Sequence, residues 1–248
     1  MSSPICCTTW TISTIGASLK VILTDISAPI LNHTRQQAIE RGVIDQCSFI
    51  HGSADDLSAI PDNSVDVVIT RSVLAYVSNK RQALQEMRRL LKPGGRIALA
   101  EPVFRDDAVK VLVMQNWLTN NPGHENARYM GLVHRWKAAQ YPHTMEQIAA
   151  SPLTNYSERD LFLMAGEAGF AAVHVELHLD SVQRAIVPWE KYIECAPHPL
   201  APTLGEILQT SFSPEERSYF EQVVRPLLAQ GALEGMERMV YLTGIKPI

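Results

Sequence analysis

The sequence predicts an α/β fold built on a mostly parallel sheet, and three observations carry that expectation. Residues 20–101 alternate short β-branched runs with helical patterns, and strands separated by helices form βαβ units whose right-handed crossovers pair them in parallel. Hydrophobic residues make up 46% and charged residues 19% of the 248 residues, an ordinary globular composition in a chain long enough for one sizeable core and an appended subdomain. After Glu101-Pro102 the strand–helix rhythm stops, and residues 103–156 read as helical stretches with no strand. We therefore expect one domain over residues 1–248, with 103–156 as an inserted lid or substrate subdomain at the mouth of the sheet.

The elements follow in order. "TTWTISTI" has the β-branched content of a strand. "KVILT" is the short apolar run of a buried parallel strand. Ser27 stands where an N-cap would, Pro29 suits a first turn, and Gly42 marks the stop of a helix running to Arg41. "SFIH" and "VDVVIT" are the next strands. Ser78 is placed to cap a helix in which Ala83, Leu84, Met87, Leu90 and Leu91 form one apolar stripe, ended by "KPGG". "RIALAE" follows as a strand. Ser157 with Asp160 resembles a capping box opening a helix that closes near Gly169. "AAVHVELHL" reads as a strand, residues 189–212 as Pro-rich and irregular, Ser213-Pro214-Glu215 as the start of a last helix, and "RMVYLTG" as the final strand.

Charge and cysteine usage narrow the function classes. The formal net charge is −4 and no dense Lys/Arg run occurs, which argues against a nucleic-acid partner. No positive charge precedes Lys20 and no long apolar run is present, so neither a leader nor a membrane anchor is expected and a cytoplasmic location is the default. Cys6, Cys7, Cys47 and Cys195 match neither a metal-site spacing nor a disulfide framework. His174 and His178 share a predicted strand face without a Cys or carboxylate partner, so no metal site is expected.

Two places carry chemistry. Asp25 ends a predicted strand, where a carboxylate can accept from both hydroxyls of a ribose; a helix-capping turn is the alternative, since Ser27 follows closely. In "HGSADDL", Gly52 permits close backbone approach to a ligand. There Asp55 can accept from an adenine amino group and the Ala54 amide can donate to a ring nitrogen, whereas Asp56 reads as a turn residue.

Taken together, "VILTDIS", "GSADDLSAIPDNSVDVVITRSVLAYV", "QEMRRLLKPGGRIALAEP" and "MVYLTGIKP" resemble the class I S-adenosylmethionine-dependent methyltransferases of the ubiquinone/menaquinone-biosynthesis type. The resemblance is close over most of residues 20–101 and loose over the C-terminal third. It implies a Rossmann-like, seven-stranded sheet with an antiparallel last strand, and adenosylmethionine along its carboxyl edge. Asp25 would hold the ribose, Ile26 would lie against adenine, and Ser53, Ala54 and Asp55 would surround the adenine edge. Arg71 and Ser72 would lie beneath the methionine portion. Family members usually have Asp where Ser53 stands, which puts the adenine amino contact in question.

The N-terminal part departs further from the pattern. A strand and a GxGxG-like loop precede the ribose acid by roughly twenty residues in such folds, yet counting back from Asp25 reaches "SSPICCTTW", and Gly16 is the one glycine before Gly42. Only "GASL" separates "TTWTISTI" from "KVILT", too little for a parallel crossover of about a dozen residues. We expect the N-terminal strand-loop-helix to be missing or replaced, through truncation or as a natural variant, and cofactor binding by this chain to be weak or lost.

The resemblance implies methyl transfer to O, N or C of a small, partly apolar acceptor. Positioning supplies much of that catalysis, and a base is needed only for a tightly held proton. His134 and Tyr76 are the candidate bases, beside His124 and His143; Trp117, Tyr129 and Trp136 are either acceptor-pocket walls or the subdomain's core. Two other readings stay open. One is a non-catalytic relative of the fold, and the other is a nicotinamide-dependent oxidoreductase, against which stands the lack of GxGxxG before Asp25.

Overall fold

The computed structural model describes residues 19–183 and 186–248; "TTWTISTI" lies outside the described residues. The first half of the chain holds β1 (Val21–Asp25), α1 (Ala28–Glu40), β2 (Cys47–His51), β3 (Val65–Arg71), α2 (Lys80–Leu90) and β4 (Leu91–Pro102). Three helices follow, α3 (Arg105–Asn120), α4 (Ala127–Gln140) and α5 (Met145–Ala150). Then come α6 (Glu158–Glu167), β5 (Ala171–Gln183), α7 (Trp189–Tyr192), α8 (Leu204–Ser211), α9 (Pro214–Ala229) and β6 (Glu234–Ile245). These elements fall into two compact units: a sheet unit of residues 19–101, 158–176 and 240–248, and a helical unit of residues 102–157 and 177–239.

In the sheet unit the described strands form two sheets, β1-β2 and β3-β4-β6-β5. β1 runs parallel to β2 with Asp25 opposite His51, and β3 runs parallel to β4 with Arg71 opposite Ala100. β6 is antiparallel to β4. The Gly94 amide donates to Lys246 O at 2.9 Å and the Lys246 amide to Gly95 O at 2.8 Å. Further along β4, the Val103 amide meets Arg238 O at 3.3 Å, so numbering runs up one strand as it runs down the other. The expected mostly parallel sheet with an antiparallel last strand is therefore the observed one.

Local chemistry explains the boundaries. Ser27 caps α1 through Oγ, which accepts from the Ile30 amide at 3.4 Å, and Gly42 beyond its end takes φ +68°. The cap of α2 is Asn79, not the expected Ser78: its Oδ1 is the group that reaches the Gln82 amide, at 3.1 Å. The helix ends at Leu90, and "KPGG" lies within β4, where Gly94 takes φ +80° and the register with β3 shifts between Val65 and Val67. A Cβ on Gly95 would meet Lys92 O at 2.9 Å and Asp66 O at 3.0 Å. Residues 189–212, expected to be irregular, contain α7 and α8. The Thr203 and Glu206 side chains close a full capping box on α8, a signal as good as the Ser213–Glu216 box on α9.

The covered face of the larger sheet packs on α2 and α6. Ala83, Leu84, Met87 and Leu90 of α2 and Leu161, Met164 and Ala165 of α6 are buried together with Ile97 and Leu99 of β4. The opposite face of β3 is open, with Val67 52% and Ile69 59% exposed, although strands of parallel sheets normally bury both faces. The helical unit has its own core, made by Leu132, Trp189, Tyr192, Leu204, Ile207, Leu208, Phe212, Phe220, Val224 and Leu228.

Candidate functional site

Asp25 sits at the carboxyl end of β1 and is half-buried. Its Oδ1 accepts from the Ser27 amide at 2.7 Å and its carbonyl accepts from the Gly52 amide at 3.1 Å, so β1 and β2 are closed together at this end. His51 extends the closure, its Nε2 lying 2.8 Å from Ile26 O. These contacts hold the Ile26 backbone while its side chain is 72% exposed. Sequence reasoning missed His51; its place at the end of the predicted strand "SFIH" was the one legible signal.

After β2 the chain turns through Gly52–Asp56. The Ser53 hydroxyl donates to Asp55 Oδ1, and the Asp56 amide to Ser53 O at 3.0 Å. Asp56 closes its own local turn, its Oδ1 accepting from the Ser58 amide at 3.3 Å; the Ser58 side chain first, and then this amide, hold its carboxyl below the ordinary range. The next stretch is pinned by Arg89. All of its N–H donors are engaged: Glu86 takes two at 2.8 Å each, Leu57 O and Ile60 O one each at 2.9 Å, and Asp62 one at 2.6 Å. Glu86 in turn accepts from the Leu57 amide at 3.0 Å. Leu57, Ile60 and Leu90 then form a small apolar cluster against Ile50 of β2 and Val65 of β3.

Arg71 and Ser72 lie at the carboxyl end of β3, on the other sheet. Ser72 adopts φ +55°, a left-handed conformation uncommon for a residue with a side chain, and its amide donates to Ala100 O at 2.8 Å. The following turn, Leu74–Tyr76, is held by Glu101, which is 0% exposed. Glu101 Oε1 accepts from Thr70 Oγ1 at 3.1 Å and the Val73 amide at 3.2 Å, and Oε2 from the Ala75 amide at 3.3 Å. Burial, outweighing those bonds, raises the Glu101 carboxyl above its usual range. Lys80, 5% exposed, donates to Val77 O at 3.0 Å, and burial, countered by Glu101, lowers its ammonium to about 8. An acid at a strand's carboxyl end before Pro102 was a legible signal for Glu101 that sequence reasoning did not use.

The candidate bases fall in different units. Tyr76 is half-buried in the Leu74–Tyr76 turn of the sheet unit. His134 is on α4 of the helical unit, where its Nε2 is buried without a hydrogen-bond partner among the described residues. Burial first, then the nearby His143, pushes its imidazole below the ordinary value. It lines a cavity of about 420 Å³ with Gln115, Arg128, Arg135 and Glu216. Trp136 packs edge-on against Phe220 and Tyr192, and Tyr129 stacks on Phe220, so both belong to the helical unit's core; Trp117 stands edge-on to His124 at 5.1 Å. His174 lies 2.9 Å from Glu176. Among the described residues no group of three or more His, Cys, Asp or Glu is placed to hold a metal ion, and no helix is long and apolar enough to cross a membrane.

The carboxyl ends of β1 and β2 thus bring together an acid, Asp25, the exposed apolar side chain of Ile26 and the tight Gly52–Asp56 turn. Residues 6–99 match the family model described as a methyltransferase domain, and the chain is similar over part of its length to curated methyltransferases. The chain is 42% identical over 87 residues to the ubiquinone/menaquinone biosynthesis C-methyltransferase UbiE of Hahella chejuensis, which covers 35% of this chain and 34% of that protein. It is 30% identical over 129 residues to the tRNA 5-carboxymethoxyuridine methyltransferase of Escherichia coli K12, covering 52% of this chain and 48% of that one. The YcgJ protein of Bacillus subtilis aligns over 92% of this chain and 83% of its own, with a TM-score of 0.49 and 19% identity. The chain thus spans about a third to a half of the length of the curated relatives it matches.

Proposed function

We propose that this chain takes S-adenosylmethionine as cofactor and transfers its methyl group to O, N or C of a small-molecule acceptor. The observation that carries the reading is the closed carboxyl end of β1 and β2. Asp25 keeps Oδ2 available beside the exposed Ile26 side chain, and Gly52–Asp55 follows directly. In this reading Asp25 holds the ribose, Ile26 lies on adenine, Ser53, Ala54 and Asp55 border the adenine edge, and Arg71 and Ser72 support the methionine portion. The pairing of the Ser53 hydroxyl with Asp55 uses one carboxylate oxygen and leaves the other for the adenine amino group. The group supplies an activated methyl on a sulfonium, so the protein's own work is to hold, orient and exclude water. Residues 103–156 supply acceptor recognition in this reading, and His134 or Tyr76 is the candidate proton acceptor where the nucleophile carries a proton. Without a glycine-rich loop before Asp25, cofactor binding by this chain alone is weak. A cytoplasmic location accords with this reading.

A second reading has tRNA as the acceptor, and it is favoured by the longer aligned stretch shared with the Escherichia coli tRNA enzyme; the net charge of −4 favours the small molecule. Isothermal titration of the chain with adenosylmethionine and with adenosylhomocysteine, beside Asp25→Ala, tests the cofactor assignment. Binding that the variant loses supports it. No binding by a chain that melts cooperatively overturns it for this chain and favours a non-catalytic role for the fold. Methyl transfer assayed with quinol-like small molecules and with bulk tRNA separates the two acceptors.

A further inference from the structure

We infer that Glu101 is a positioning residue, whose buried carboxylate fixes the Arg71–Ala75 loop in the shape that meets the cofactor. The inference deepens the methyltransferase reading and rests on it for the identity of the ligand. Three features of the sheet unit carry it. First, one carboxylate takes bonds from the end of β3 and from two places in the loop after it: Thr70 Oγ1 at 3.1 Å, the Val73 amide at 3.2 Å and the Ala75 amide at 3.3 Å. Side chains seldom gather so many donors from so short a stretch unless the stretch must hold one conformation. Second, between those donors Ser72 is held at φ +55°, its amide fastened to Ala100 O at 2.8 Å, one residue before Glu101 itself. A non-glycine residue persists there only where its surroundings over-determine it. Third, the far end of the turn is held by the opposite charge: Lys80, also buried, donates to Val77 O at 3.0 Å. An anion gathers the turn's amides and a cation takes its last carbonyl.

Packing alone does not explain the arrangement. Burying a charged pair is weak as a source of stability, and an apolar residue at the end of β4 would serve the core at lower desolvation cost. The loop so held presents Arg71, exposed, and Ser72, half-buried, at the end of β3.

The test compares wild type, Glu101→Gln and Glu101→Gln/Ser72→Gly by amide hydrogen exchange and by titration with adenosylhomocysteine. Glu101→Gln should speed exchange at residues 73 and 75 about tenfold relative to α6 amides and weaken ligand binding about tenfold. Glycine adopts φ +55° without steric cost, so Ser72→Gly in the Glu101→Gln background should recover at least about threefold of the affinity, a rescue that a general packing defect would not show. Exchange at residues 73 and 75 that tracks α6 in both proteins would overturn the inference, as would unrescued loss of binding. Should Glu101→Gln fail to fold, Thr70→Val, which removes one donor and leaves the charge, is read in the same way. If wild type binds no adenosylhomocysteine, the cofactor reading fails while the exchange data still decide whether Glu101 sets the loop.

Discussion

Arg89→Lys keeps the charge and removes the fork, and it should cost the chain about 2 kcal/mol. Arginine here sends donors in three directions at once: to both oxygens of Glu86, to Leu57 O and Ile60 O, and to Asp62. A lysine ammonium has three donors on one nitrogen and can keep the Glu86 contact, but it cannot span two carbonyls on opposite sides of the loop. Losing two such bonds removes about 1 kcal/mol each, and losing the second arm of the bidentate pair adds a fraction more. The Arg89 side chain is 26% exposed, so water replaces part of what is lost and holds the sum near about 2 kcal/mol. For a chain of this size that is a fall in Tm of about 4–8 °C, read by circular dichroism or calorimetry. Asp62→Asn is the control, because Asp62 is exposed and its pair with Arg89 should contribute less than about 1 kcal/mol. A shift for Arg89→Lys below about 1 °C, or one equal to that of Asp62→Asn, would refute the view that the fork and not the charge secures residues 57–62.

Two further outcomes are expected. Leu84→Ala empties a fully buried position between α2 and the sheet and should destabilise by about 2–5 kcal/mol, measured by urea titration. His198 is buried between Phe104 and Tyr141, and burial, opposed by its bond to Gln140 O, lowers its imidazole from the ordinary 6.5. A base whose folded value is depressed contributes stability above its unfolded value and loses it as pH falls through the folded value. Wild type should therefore lose Tm as pH falls below the ordinary imidazole value of 6.5, with a shallower fall in His198→Phe; the slope does not vanish, because His134 is shifted in the same direction. Equal slopes in the two proteins would exclude His198 as a contributor.

What could be read from the sequence was set by short-range signals. Ser27, Pro29 and Gly42 bound α1 by local hydrogen bonding and backbone sterics, and the structure places its ends at Ala28 and Glu40. The apolar stripe of α2 was legible for the same reason. Where two capping residues stood side by side, Ser78 and Asn79, the choice depended on which side chain reached the Gln82 amide, and that is a matter of three-dimensional geometry. α8 was missed although Thr203 and Glu206 form a capping box, because four prolines between 188 and 202 dominated the reading of that stretch. For the candidate site, positions at strand ends were visible, whereas their connections were not. His51 meets Ile26 across 25 residues, Arg89 meets Leu57 across 32 and Glu101 meets Thr70 across 31. None of these separations has a periodicity that a linear reading can detect.

Asp25 shows why the capping reading and the ligand reading need not compete. Its Oδ1 accepts from the Ser27 amide, which is the local turn that the nearby serine suggested. An ionised carboxylate has about four lone-pair sites, so one amide leaves ample capacity for a diol. The Ser27 bond also fixes the side-chain torsion before any ligand arrives, and a preset geometry lowers the ordering cost of binding. Ser27 is itself occupied in capping α1 through Oγ, so its amide is held in place by the helix it begins. The same contacts that a structural account needs are thus those that would aim Oδ2 at a ribose. The charge then separates the two roles, because a turn is satisfied by any side-chain oxygen, whereas two hydroxyl donors in parallel call for a carboxylate.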